Sequence, residues 1–262
     1  AINLGLSIAS GTDFIGRHAK QGPVVYLNFE LSEDTMHRRL WDIKRAMGIE
    51  MPPDLHIWNL RGKMVNADSL TKRLIPACKS IKPALIILDP FYKVSANSGA
   101  AENSNDEQTR ILSELEAIAS DCESALFIVH HFAKGNASSK NAIDRASGAG
   151  ALARAPDAVL TLSEHDDDEA CVLTAALRDL PPSGDIGLRW DYPIWRLDES
   201  LDTKKLKNVG GSKDKHPASE LLEKLGSDRL TNKEWMEASD WAETTYRKKR
   251  NELVKAGKVK EV

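Results

Sequence analysis

The chain has 262 residues, 41% of them hydrophobic, which is enough for one substantial packed domain and a small second one. Its formal net charge of -3 excludes a uniformly basic nucleic-acid binder and leaves room only for a local basic face. Three scattered cysteines, Cys78, Cys122 and Cys171, have neither metal-ligand spacing nor an even framework. Cys78 and Cys122 fall in apolar helical patterns, so buried free thiols in a reducing, cytoplasmic compartment are expected.

In chain order, Ala1 to Gly11 reads as an apolar helix stopped by a glycine. It lacks the basic leader of a secretory signal, and no initiating Met or strand stands before it. The expectation is a fragment that begins inside a helix. After Gly22-Pro23, Val24 to Glu30 reads as a strand with an acid at its carboxyl end. Ser32 is the expected N-cap of the next helix, with Glu33 and Asp34 in the first turn and Met36, Leu40, Ile43 and Met47 at helical spacing. Leu55 to Trp58 is a short strand, and a helix over Ala67 to Ile81 follows.

Ala84-Leu85-Ile86-Ile87-Leu88-Asp89-Pro90 is apolar without alternation until it ends in a carboxylate and a proline. Such a run predicts a central strand buried on both faces of a parallel sheet. A helix over Glu107 to Cys122 leads to Ala125 to His131, a third buried strand with a polar end. Strands alternating with helices predict an α/β fold, a parallel sheet with right-handed crossovers. No apolar stretch is longer than a strand, so neither a transmembrane segment nor a membrane partner is expected.

Parallel pairing would bring Glu30, Asp89 and His131 to one edge of the sheet, where open α/β sheets bind ligands. An acid that holds Mg²⁺, an acid that polarises water and an imidazole that senses a phosphate are parts used in nucleotide hydrolysis. Taken singly, His130-His131 reads equally as a packing histidine followed by a capping one.

At these residues the chain resembles the RecA-type ATPases, and among them the RepA-like hexameric replicative helicases of plasmids, phages and related mobile elements. The resemblance runs over residues 1–200. Ser10 to Gly16 looks like the segment after the phosphate-binding loop, Gly22 to Glu30 like the strand bearing the water-activating glutamate, and Leu85 to Asp89 like the Walker B strand. Ile128 to His131 looks like the histidine motif. The resemblance implies ATP and Mg²⁺ as cofactors, with Glu30 as catalytic carboxylate and Asp89 as metal partner through water. It places His130 and His131 at the nucleotide, His131 contacting the γ-phosphate. It implies a homo-oligomeric, hexameric ring acting on single-stranded DNA. One departure is large: no G-x-x-x-x-G-K-[ST] sequence occurs. The loop is expected upstream of Ala1, and the chain by itself is expected to bind ATP weakly and hydrolyse none.

Ala133 to Asp144 is polar, and either faces a ring channel, with Lys134 and Lys140 on DNA phosphates, or is a surface loop. A short apolar helix over Ala149 to Arg154 and a strand over Ala158 to Leu162 come next, then His165 to Glu169 as a solvated hairpin turn. Arg178 stands where related ATPases carry an arginine finger, although the usual lysine is missing, and it reads otherwise as a surface arginine at a strand end. Ile186 to Trp190 and Ile194 to Leu197 form a terminal hairpin, which closes a RecA-like core at residue 200. Residues 201–216 read as a flexible basic linker.

Residues 217–262 read as a small winged helix-turn-helix: helices over Ala218 to Leu225, Leu230 to Ala238 and Trp241 to Val254, then a strand from Lys258. Thr244, Thr245, Arg247 and Lys248 are placed on its recognition helix, and Lys258 and Lys260 on its wing. Its partner is duplex DNA or a replication protein. The expected function is that of an ATP-dependent helicase subunit in replication; the alternative is a DNA-binding initiator or regulator whose RecA-like domain does not hydrolyse.

Overall fold

In the computed structural model the described residues are 1–98, 105–131, 155–207, 218–225 and 229–259. The chain divides into two units, Ala1–Val209 and Gly210–Val262.

The first unit begins with α1 (Ile2–Ser10), closed by Gly11 in the left-handed conformation. Strand β1 (Val24–Asn28) follows, then α2 (Glu33–Met47), capped by the Ser32 side chain accepting from the Thr35 N–H. After β2 (Leu55–Asn59) comes α3 (Ala67–Ile81), whose Asn66 and Ser69 form a reciprocal capping box. Strand β3 (Leu85–Asp89) runs directly into α4 (Phe91–Asn97), a helix the sequence reading did not contain. Helix α5 (Asn105–Asp121) and β4 (Ala125–Ile128) complete the alternation.

These four strands form one parallel sheet in the order β2-β1-β3-β4. Strand side chains alternate between faces, and the register keeps each face apolar. Val25, Leu27, Ile86 and Leu88 pack with Leu70, Leu74, Ile111 and Leu115 of α3 and α5. Val24, Tyr26, Leu85 and Ile87 pack with Leu6, Met36, Leu40 and Ile43 of α1 and α2. The central strands are buried on both faces, as their unbroken apolar runs require. Strand β4 departs from expectation: it ends at Ile128 rather than His131, and it is half-buried. The physical reason is its position, since it pairs only with β3 among the described residues.

Strands β5 (Ala158–Glu164), β6 (Ala170–Leu177), β7 (Ile186–Asp191) and β8 (Ile194–Leu197) form an antiparallel meander. The β7–β8 hairpin returns to the α1–α2 layer, where Ile194 joins the apolar cluster and the Tyr192 hydroxyl meets Asp42 at 3.2 Å. The acidic segment after β5 is the expected hairpin turn, but His165 within it is buried. Its Nδ1 accepts from the Asp167 N–H at 2.9 Å and Nε2 lies 3.0 Å from the Asp202 carbonyl.

That contact changes the reading of residues 201–207 as part of a flexible linker. They form a strap across the end of β5, with Asp166 N–H donating to the Lys205 carbonyl, Lys207 N–H to that of Glu164, and Leu201 buried. Backbone pairing along an open strand edge holds them despite their basic composition. Residues 208–216 lie outside the described residues.

The second unit contains α6 (Ala218–Leu225), α7 (Asn232–Ser239) and α8 (Glu243–Lys255) around Leu221, Trp235, Tyr246 and Leu253. Thr231 caps α7 in a capping box with Glu234. The Trp235 indole N–H donates to the Leu221 carbonyl at 2.8 Å, and the Trp235 and Tyr246 rings meet edge to face. Residues 258–259 form a bend where a strand was expected, so no wing is present among the described residues. Among the described residues no helix is long and apolar enough to cross a membrane.

Candidate functional site

The carboxyl ends of β1, β3 and β4 are drawn together by backbone bonds beyond the regular ladder. Phe29 N–H donates to the Asp89 carbonyl at 2.9 Å, Val129 N–H to Leu88 at 2.9 Å and Phe91 N–H to Val129 at 2.8 Å. The segments carrying Glu30, Asp89 and the two histidines are thereby fixed at one edge of the sheet.

Glu30 does not stand on β1 but in the turn after it, and Asn28 explains why. Buried and paired in register with Asp89, Asn28 turns its side chain onto the following backbone: Oδ1 accepts from the Leu31 N–H at 2.9 Å and Nδ2 donates to the Leu31 carbonyl at 2.9 Å. These local bonds compete with the strand ladder and end it. Glu30 therefore points outward, about half exposed, with Oε2 3.8 Å from His131 Nε2. That separation is long and wet for an ion pair, worth at most about 1 kcal/mol, so the pair remains available for chemistry.

Asp89 is less free. One of its oxygens accepts a hydrogen bond from the buried Tyr26 hydroxyl. Burial, followed by the charge and hydrogen bond of Asp89, pushes the Tyr26 phenol above its ordinary range, with Arg39 opposing. The amino end of α1 lies close to Asp89. The helix thus presents its positive dipole end to the same edge of the sheet, the arrangement that favours phosphate groups.

Helix α4 supports the histidines. Phe91 meets the His130 ring edge-on at a centroid distance of 6.3 Å, and Tyr92 lies 6.3 Å from His131 with Lys93 Nζ 5.0 Å above its own ring. Sequence reasoning missed Tyr26, Asn28 and Tyr92 as parts of the site. Asn28, two residues before Glu30 at a strand end, was the one with a readable local signal.

Arg178 stands at the end of β6, where its guanidinium meets Asp157 at 3.2 Å and the Ala155 carbonyl at 3.1 Å. Arg178 is about half exposed and Asp157 largely exposed, so this ion pair is weak and exchangeable. Lys134, Lys140 and Lys260 lie outside the described residues. On α8, Thr244, Arg247 and Lys248 are exposed, Thr245 is half-buried, and Arg247 pairs with Glu243 at 2.6 Å. Lys258 is exposed in the bend beyond α8.

The donor set suits a hydrated hard cation beside a phosphate. Asp89 has an oxygen left over from its bond to Tyr26, and Mg²⁺ is commonly held by one or two carboxylates, waters and the substrate's own phosphates. Among the described residues no cluster of three or more His, Cys, Asp or Glu forms an all-protein metal cage.

Comparison with known proteins gives a consistent picture. The sequence profile of a family described as AAA domain matches residues 1–137. No curated protein matches the sequence. A solved structure described as a DnaB-like replicative helicase and its interactions with primase is similar in fold, with a TM-score of 0.52 at 13% identity. The similarity covers 67% of this chain and 51% of that one, so the chain spans about half the length of the helicase it matches. The parallel sheet and its flanking helices have the RecA-like helicase fold.

Proposed function

We propose that this chain, which belongs to the AAA domain family, is part of an ATP-dependent helicase subunit of DNA replication, of the RepA-like kind used by plasmids, phages and mobile elements. The observation that supports this reading is the gathering of Glu30, Asp89 and His131 at one sheet edge, facing the amino end of α1.

ATP with Mg²⁺ supplies the phosphoanhydride whose hydrolysis drives movement along single-stranded DNA. Asp89 would hold the cation through water, with its bond to Tyr26 leaving the other carboxylate oxygen for that role. Glu30 accepts the proton of the attacking water, from a turn that Asn28 keeps rigid. His131 reports the state of the γ-phosphate to Glu30 across their 3.8 Å separation, with His130 behind it. Arg178 exchanges Asp157 for a neighbouring subunit's nucleotide in a homo-hexameric ring, supplying positive charge to the transition state. Lys134 and Lys140 contact the DNA backbone. The proposed core spans residues 1–200, with the strap at 201–207 packed on it.

A second reading, a DNA-binding regulator or initiator with a non-hydrolysing core, is favoured by two observations. Asp89 is already engaged by Tyr26, which leaves it one oxygen for a cation, and the histidines lie beyond the end of β4 rather than on it. ATP turnover by the complete gene product, with and without single-stranded DNA, separates the two. The helicase reading expects DNA-stimulated turnover that Glu30→Gln lowers by about a hundredfold or more, with nucleotide binding retained. Turnover indifferent to Glu30→Gln rejects the assigned role of Glu30. No turnover at all leaves the regulator.

A further inference from the structure

The second unit carries a feature independent of ATP hydrolysis. Helices α7 and α8 are joined by three residues, Asp240, Trp241 and Ala242, the first in the left-handed conformation. A helix, a short turn and a second helix is the connection of helix-turn-helix motifs. The inner side of α8 is fixed by Tyr246 and Leu253, both buried against α6 and α7.

The periodicity of the helix then settles what the outer side contains. Thr244, Lys248, Asn251 and Lys255 follow one another at spacings of four, three and four residues, and all four are exposed. This stripe contains no carboxylate. Glu243 and Glu252 beside it are engaged by Arg247 at 2.6 Å and Lys249 at 3.0 Å. Lys248, Lys255 and the nearby Lys258 have no carboxylate partner among the described residues.

We infer that the outer face of α8 is a duplex-DNA reading surface, with Thr244 and Asn251 at base edges and Lys248 and Lys255 on the flanking phosphates. The face presents an amide and a hydroxyl among ammonium groups, which are donors for base edges and backbone oxygens respectively. A helix about 10–12 Å across fits a major groove about 12 Å wide. A protein partner would call for an apolar anchor, and α8 offers no exposed large one: among the described residues of this unit the exposed large hydrophobic is Leu230, before α7. The structure thus revises the set expected from sequence, bringing in Asn251 and Lys255 and leaving Thr245 toward the core.

The test uses the full chain without ATP, so that a failed ATPase reading does not affect it. Fluorescence anisotropy is followed on a labelled random-sequence duplex of about three helical turns and on a single strand of the same length, over a range of salt. The double variant Lys248→Ala, Lys255→Ala is expected to bind duplex about tenfold or more weakly and to lower the salt slope by about two. Asn251→Ala is expected to keep the salt slope but relax the base preference of sequences selected from a randomised duplex pool. Both variants should melt with the parent, since the changed side chains are exposed. Absence of duplex binding at low salt overturns the inference, as does a salt slope that the double variant leaves unchanged. Preference for single strand that the variants do not alter also overturns it, as does capture of an acidic protein without duplex binding.

Discussion

Tyr26→Phe probes the link between the hydrophobic core and the candidate site. Tyr26 is 2% exposed, and its hydroxyl is bonded to Asp89, so Phe fills the same volume and removes one charge-assisted hydrogen bond. Bonds to charged groups contribute about 1.5–3 kcal/mol. Asp89 is only half-buried and water can replace the lost donor, so the expected loss is about 1–2 kcal/mol. The pH dependence carries a distinct signature. The folded state holds the Tyr26 phenol above its ordinary value near 10, so the unfolded chain releases that proton first as pH rises. Wild-type stability from this residue is complete below pH 10 and falls above it by about 1.4 kcal/mol per pH unit, whereas the Phe variant has no such slope. The gap should therefore close about one unit above pH 10. Hydrogen exchange of the β1 and β3 amides reads this locally, without interference from the second unit. A variant as stable as wild type at pH 7.5, or a gap unchanged at pH 11, refutes the reasoning.

Two other perturbations test packing. A Cβ at Gly187 would lie 2.7 Å from the Asp198 carbonyl and 2.8 Å from Leu201 Cβ, so Gly187→Ala should cost about 1–3 kcal/mol by pushing the strap off the meander. An unchanged thermal midpoint would show that the strap is not packed there. Burial, aided by the neighbouring Cys122, pushes the Cys78 thiol up to about 12, so Cys78 should not react with a disulfide reagent at pH 8 before unfolding. Because the folded value is raised, this stabilisation is present below the unfolded thiol pKa near 9 and is lost as pH approaches 12. Rapid labelling of native Cys78 at pH 8 would contradict its burial.

The sequence was legible where local chemistry decided the structure. Ser32 and Thr231 cap their helices because hydroxyls beside exposed N–H groups need no distant partner, and the run through Leu88 forms a central strand because only two covered faces accommodate it. Helix α4 was hidden behind Pro90, which ends the apolar run, although proline also suits a helix start. The buried His165 was hidden among acids whose composition indicates solvent. Its partner, the Asp202 carbonyl, lies 37 residues away in a segment read as linker.

For the site, the sequence by itself determined the raw chemistry: two acids and a histidine pair, each just beyond an apolar run, and hence a common sheet edge once the strands are parallel. Tertiary structure decided the rest. Only the pairing of β1 with β3 set the Tyr26 hydroxyl, 63 residues away in sequence, against Asp89. Only the end of β1 at Asn28 turned Glu30 toward His131. On α8, only packing of Tyr246 and Leu253 distinguished the outward stripe of Thr244, Lys248, Asn251 and Lys255 from Thr245. Caps and apolar periods are encoded within a few residues. The partner of a polar side chain is fixed by register and burial, which exist only after distant segments have packed.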